Sequence, residues 1–243
     1  MNEVNQIELK VENLEISLIR KGYEPLKIVD GVSFEIKKGE IIGIVGESGC
    51  GKTLTALGIM RLLSDPPLRI TGGKILFKGE NLLEKSKSRM RKIRGKEISM
   101  IFQEPMSALD PTMTVGNQVM EIFKIHLGLG KRHALSRTIE LFNLVGIPDA
   151  EKRVYSYPHE LSGGMAQRVL IAMAIACNPS LIIADEPTTA LDATIQAQVL
   201  DLLKRLQTDF ETSMIFISHD LSVIAHIASR VYVMYSGQII EEG

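Results

Sequence analysis

Residues 41–53 read IIGIVGESGCGKT, an apolar run that passes into a glycine-rich loop and then into the helix-compatible stretch TLTALGIMRLL. No other feature constrains the fold as tightly, because a buried strand must deliver that loop directly onto the start of a helix. Gly46–Thr53 fits the pattern G-x-x-x-x-G-K-[ST] in strand–loop–helix context, which separates a phosphate cradle from an ordinary glycine-rich turn. The glycines let backbone N–H groups close around phosphate oxygens at a helix N-terminus, whose dipole favours anions. Gly46, Glu47, Ser48, Gly49, Cys50, Gly51, Lys52 and Thr53 are therefore candidate nucleotide-binding residues. Lys52 is expected to reach the β- and γ-phosphates and Thr53 to ligate Mg2+. Cys50 falls at a free position of the pattern and is expected to contribute only backbone.

The pattern on either side fits an α/β chain. IELKVENLEISLI alternates in part, VDGVSFEIKKGEIIGIVG reads as two strands divided at Lys38-Gly39-Glu40, and TGGKILFKGENL as a short hairpin. The helix from Lys52 is expected to stop at Asp65-Pro66-Pro67. After the strand EISMIFQ the periodicity turns helical over roughly 114–147, with breaks at Gly128–Gly130 and Gly146, and a further helix follows Leu161. Strand and helix then alternate: LIIAD, a helix over about 193–207, SMIFISHD, a helix over 221–228, and VYVMYSGQIIEEG turning at Ser236-Gly237. Ile195, Val199, Leu202, Leu203 and Leu206 share one face of the 193–207 helix, and buried strands alternating with such helices imply a mostly parallel sheet. There is no internal repeat or low-complexity segment.

Composition narrows the function classes. With 243 residues, 45% of them hydrophobic, the chain can bury a large core. A net charge of −1 gives no global attraction to nucleic acid or to an anionic membrane. The basic run KSKSRMRKIRGK, Lys85–Lys96, reads as a solvated helix face. Cys50 and Cys177 lack metal spacing and fit a reducing compartment. No signal-peptide-like stretch opens the chain, and its longest apolar run, VLIAMAIAC, is far too short to span a bilayer, so a membrane role would come through a partner.

Three more constellations carry chemistry. LIIADEP ends a buried strand in two acids. Successive strand side chains face opposite ways, so Asp185 and Glu186 can serve one site only at the strand end that Pro187 marks. Asp185 is the candidate to hold Mg2+ through its water shell and Glu186 to orient or deprotonate an attacking water, the alternative being a salt-bridged strand terminus. Gln103 and His219 each follow an apolar strand, at the edge where open α/β sheets bind ligands and on strands expected to neighbour the P-loop strand. His219 can donate to a γ-phosphate and Gln103 can touch Mg2+ or water; isolated, either is a structural polar residue. In ELSGGMAQR, Ser162 suits an N-cap and Gly163-Gly164 expose first-turn N–H groups, making a second anion site that lacks its own lysine and metal ligand. Such a site can complete a nucleotide pocket on another subunit, or be simply a capped helix with glycines for close packing.

Taken in order, GESGCGKT, Gln103, LSGGM, LIIADEP, TALDA and SHD resemble the ATP-binding cassette (ABC) ATPases over nearly the whole chain. The resemblance implies an α/β P-loop NTPase (RecA-like) ABC nucleotide-binding domain with an antiparallel β subdomain and a helical insert. Residues 1–243 would form one ATPase domain, the core and antiparallel sheet from 1–102 and 179–243, the helical subdomain with the signature from 103–178. It implies two cassettes, as homo- or heterodimer, sandwiching ATP and Mg2+ between the P-loop of one and Leu161, Ser162, Gly163, Gly164 and Met165 of the other. Tyr23 stands where the family often stacks an aromatic on adenine, or is an exposed turn tyrosine, and Asp192 belongs to the loop that crosses to the opposite site.

MIFQEPMSALDP, YPHELSGGM and LIIADEPTTALDATIQAQVLDLL are similar, more narrowly, to bacterial dipeptide/oligopeptide and nickel importer ATPases. That implies a peripheral ATPase on the cytoplasmic face of the cell membrane, bound to two transmembrane permease subunits, indirectly served by an external substrate-binding protein, and needing no nucleic acid. Thr53 replaces a common serine and keeps the hydroxyl; Ala166 replaces a usual arginine or leucine. Longer peptide-importer relatives continue beyond Gly243, often with a cysteine-rich tail, and no iron–sulfur cluster is assigned. A soluble ABC ATPase acting on ribosomes or DNA would be expected to carry paired cassettes or long coiled coils, and a P-loop kinase leaves LSGGM unexplained.

Overall fold

The computed structural model describes residues 6–189 and 191–243. Ala190, inside the TALDA stretch, and the first five residues of the N-terminal segment read above lie outside the described residues. The chain forms two compact units, one running up to Arg91 and resuming at Glu211–Gly243, the other Lys92–Phe210.

The first unit holds two groups of strands. β1 (Ile7–Leu18), β2 (Leu26–Lys37), β4 (Leu68–Phe77) and β5 (Glu80–Asn81) form an antiparallel sheet in the order β2-β1-β4-β5. β3 (Ile41–Val45) instead lies parallel between β8 (Ser213–Ser218) and β9 (Arg230–Tyr235), and β10 (Gln238–Glu242) pairs antiparallel with β9. The two strands divided at Lys38-Gly39-Glu40 thus enter different sheets. β1 shows why its alternation is only partial. Leu9 and Val11 are buried, then Leu14 and Ile16, and the change of phase coincides with a register shift at Asn13, whose φ is 48°. A bulge turns the second half of the strand so that both halves bury their apolar side chains.

α1 (Lys52–Met60) follows β3. It ends before the expected Asp65-Pro66-Pro67 stop. Arg61 takes a left-handed φ of 51° as C-cap, and its guanidinium donates to the carbonyls of Leu82 and Lys85 at 2.9 and 2.6 Å. The backbone cap therefore closes the helix before the prolines can act. α9 (Leu221–Ile227) covers β3, and a Cβ on Gly43 would stand 2.5 Å from Ile224 Cγ2, which accounts for the small residue inside IIGIV. Ser236 and Gly237, at φ 47° and 85°, make the two-residue turn between β9 and β10. α2 (Lys87–Ile93), in the basic run, buries Met90 and Ile93 and leaves most of its charges in solvent.

The second unit is mainly helical: α3 (Pro105–Ala108), α4 (Val115–Leu127), α5 (Lys131–Leu144), α6 (Ala150–Arg153), α7 (Gly163–Ile175) and α8 (Ala193–Phe210), with the parallel pair β6 (Ile98–Ile101) and β7 (Leu181–Asp185). The breaks fall at Gly128, a left-handed C-cap, and at Gly146, also at positive φ. Phe123, Phe142, Val169 and Ile171 are fully buried among these helices. On α8 the buried face is Val199, Leu200, Leu202, Leu203 and Leu206; Ile195 is only half-buried and rests against Gly164.

Candidate active site

In the first unit, β3 delivers Gly46 at its C-terminal end and Gly51, at φ 107°, swings the chain into α1. A Cβ on Gly46 would lie 2.1 Å from the Met234 carbonyl oxygen and 2.8 Å from Cys50 Sγ, so only glycine fits there. Glu47, Ser48 and Gly49 are exposed on the loop's outer side. α1 has neither a side-chain cap nor an acidic residue in its first turn, so nothing negative competes for that end of the helix dipole. Lys52 is buried, and its ammonium donates to the carbonyls of Gly46 and Glu47 at 2.8 and 2.9 Å. Thr53 is exposed on the same turn.

The Cys50 side chain does more than fill a free position. It is buried, with Sγ 3.9 Å from Lys52 Nζ, and it wedges under the loop against Gly46. The motif spacing gave no sign of this packing. The β3–β8 register pairs Val45 with Ser218, so Gly46 and His219 emerge side by side, and both line a cavity of about 600 Å3 with Leu221 and Ile224. Asp220 next to it caps α9, accepting from the Ser222 N–H at 2.8 Å. Hydrogen bonds from the Ser222 side chain and backbone, with the Val223 N–H and then the nearby His219 adding less, hold the Asp220 carboxyl below the usual carboxylate range. Tyr23 is 78% exposed, so its ring is open to a stacking partner.

In the second unit, register does the equivalent work for Gln103 and Glu186. β6 pairs with β7 through Ile101 opposite Ala184, and Gln103 and Glu186 each stand two positions further on. The two side chains meet: Gln103 Nε2 donates to Glu186 Oε2 at 3.2 Å. The expectation that Gln103 sits on a strand beside the P-loop strand is corrected here. β3 has β8 and β9 as its partners, and Gln103's strand pairs with the strand of the acids instead. Asp185 is buried as the last strand residue, whereas Glu186 takes a left-handed φ of 46° that breaks the pleat. Thr189, which the sequence reading passed over, donates from Oγ1 to the same Glu186 Oε2 at 2.7 Å.

The signature segment occupies the start of α7. Ser162 Oγ accepts from the Met165 N–H at 3.3 Å, as expected of an N-cap. A cavity of about 480 Å3 is lined by Ser162, Gly163, Gly164, Met165, Arg168 and Asp192, among others. Leu161 precedes it, half-buried. The two glycines differ. Gly164 packs on Ile195, but a Cβ on Gly163 would meet nothing within 4 Å among the described residues, where close packing accounts for only one of the two. Asp192 caps α8, accepting from the N–H groups of Thr194 and Ile195 at 3.1 and 3.0 Å.

Taken separately, Thr53 in the first unit carries a hydroxyl oxygen and Asp185 in the second carries carboxylate oxygens, each a hard donor of the kind that suits Mg2+. Neither cysteine is in a disulfide, and burial pushes the Cys177 thiol up, away from the thiolate. No helix among the described residues is long and apolar enough to cross a membrane.

The ABC transporter family model matches residues 29–189, from before the P-loop through the acids. The chain belongs to the ABC transporter family. It is 54% identical over 235 residues to the oligopeptide transport ATP-binding protein OppD of Bacillus subtilis, covering 97% of this chain and 65% of that one. It is 51% identical over 235 residues to the dipeptide transport ATP-binding protein DppD of the same organism, covering 97% and 70%. The chain therefore spans about two thirds of the length of these curated relatives. Among solved structures, the ATP-binding cassette MJ0796, as a post-hydrolysis dimer bound to ADP and phosphate, superposes with a TM-score of 0.86 at 26% identity over 97% of each chain. The α/β P-loop fold with an antiparallel sheet and a helical part, expected from the sequence, is the fold observed.

Proposed function

We propose that this chain is the ATP-hydrolysing motor of a peptide importer, acting as one ATPase domain in a pair of cassettes on the cytoplasmic face of a membrane. The observation that carries the reading is identity at or above half, over nearly the whole chain, to proteins named for dipeptide and oligopeptide transport, together with a fully formed P-loop. In this proposal the α1 amides and Lys52 grip the β- and γ-phosphates, the lysine exchanging its two loop carbonyls for phosphate oxygens. Tyr23 stacks on the adenine. Mg2+, if ligated by Thr53 and held by Asp185 through its water shell, would neutralise phosphate charge. Glu186 takes the proton of the attacking water, whose oxygen bonds to the γ-phosphorus as the bond to the bridging oxygen breaks and its electron pair leaves with ADP. His219 donates to the γ-phosphate oxygens, and Gln103 holds Glu186 while the chain after it follows a permease subunit.

The α7 start fits the role of closing a partner's nucleotide site. Glycine costs backbone entropy relative to alanine, and among the described residues no neighbour of Gly163 requires its small size. A phosphate brought by a second cassette, identical or related, would. Two permease subunits and an external binding protein would complete the transporter and select the cargo.

The test is to purify the tagged protein from its native membranes in mild detergent and identify what accompanies it. Two polytopic membrane proteins and a second cassette are expected, and the reconstituted assembly should hydrolyse ATP faster with a peptide-loaded binding protein than with nickel. Recovery of ribosomal or DNA-repair proteins without a membrane partner would overturn the reading.

A further inference from the structure

We infer that Thr189 is a positioning residue for Glu186, holding the carboxylate that faces the attacking water in one orientation; this rests on the hydrolytic reading above. Three features around Glu186 support it. Glu186 leaves β7 in a left-handed conformation, φ 46°, which carries its side chain out of the strand's alternation and leaves its direction to local contacts. The turn then doubles back: the Thr189 N–H donates to the Glu186 carbonyl at 3.3 Å, and the Thr189 hydroxyl donates to Glu186 Oε2 at 2.7 Å. Gln103 Nε2 reaches the same oxygen at 3.2 Å from the end of β6. A carboxylate oxygen has two lone pairs, so one atom accommodates both donors, and anchors on two different segments act on the carboxylate.

The anchors differ in kind. Gln103 lies on the chain that leads into α3, so its bond depends on where that segment stands. Thr189 is tied to Glu186 by only two intervening residues, Pro187 and Thr188, and travels with it. The hydroxyl therefore keeps the carboxylate oriented when the glutamine moves, and misplacement of a catalytic group by about 1 Å can cost on the order of 100-fold in rate. Thr189 is exposed, so its hydroxyl is not required to satisfy a buried group or fill the core.

The experiment measures steady-state ATP hydrolysis and nucleotide affinity for the purified protein, with the cassette that accompanies it, as wild type, Thr189→Val, Thr189→Ser, Glu186→Gln and the double variant Thr189→Val/Glu186→Gln. Valine preserves shape and removes the donor; serine restores the hydroxyl. The expected result is a kcat about tenfold lower in Thr189→Val with KM for ATP and the thermal midpoint unchanged, recovery to within about twofold in Thr189→Ser, and no further loss on adding Thr189→Val to Glu186→Gln in single turnover. Equal kcat in wild type and Thr189→Val overturns the inference, as does an equal loss in the Glu186→Gln background or a loss confined to KM or stability. A wild-type protein that binds ATP but does not hydrolyse it would instead refute the hydrolytic reading itself.

Discussion

At the scale of single residues, the decisive contacts are those in which a side chain replaces water around a charge. Lys52 is the clearest. A buried ammonium is tolerated because two loop carbonyls solvate it, and those carbonyls belong to the loop that must surround phosphate. Lys52→Ala is expected to weaken ATP binding at least tenfold by equilibrium titration while the fold persists, since a hydrogen bond to a charged group is worth about 1.5–3 kcal/mol. Gly46→Ala fails for a different reason, a Cβ 2.1 Å from a backbone oxygen that no rotamer change can relieve. It should lower the thermal midpoint even without nucleotide. The residue types at these positions were plain in the sequence. The Cys50 wedge and the Thr189 hydroxyl were not, because a motif specifies which backbone must turn and says nothing of which neighbouring side chains fill the turn.

Among the elements, helix starts separate structure from function. Ser162→Ala removes a cap bond and is expected to destabilise by about 1 kcal/mol in denaturant unfolding. Gly163→Ala meets no atom of the described residues within 4 Å and sits at a backbone conformation any residue adopts, so it should stabilise the nucleotide-free chain by about 0.4–1 kcal/mol. The same variant should lose ATP-dependent association, measured by light scattering, if this helix start closes a partner's site. A destabilised variant that still associates would mean the glycine serves its own fold. Acid sensitivity has an address at the start of α9. The Asp220 carboxyl is held below its ordinary value by Ser222. Its contribution is thus fully present above about pH 4 and is lost as pH falls through the lowered folded value. Asp220→Asn should flatten that acid limb when thermal midpoints are followed from about pH 5 downward. In α8, Leu203→Ala removes a fully buried side chain and is expected to cost about 2–5 kcal/mol.

For the whole molecule, the proposed function predicts a cassette that is incomplete alone. Glu186→Gln should block the water's proton acceptor while leaving phosphate binding intact. That variant with Mg-ATP is expected to double its mass, alone or with a related cassette, in size-exclusion light scattering. A monomer under every such condition would refute the composite site. The sequence by itself determined the parts that depend on local chemistry. Spacing and residue type named the P-loop, the acids at the end of β7, the Ser162 cap, and the breaks at Gly128 and Gly146, because backbone turns and helix ends are dictated by the few residues that make them. Only the tertiary structure decided what depends on register and on contacts distant in sequence. The pairing of β6 with β7 brought Gln103 to Glu186, the β3–β8 register set His219 beside Gly46, the bulge at Asn13 resolved a broken alternation, and Arg61 closed α1 ahead of the prolines. Such outcomes follow from a cooperative choice of strand partners and side-chain anchors across the chain, which no window of neighbouring residues contains.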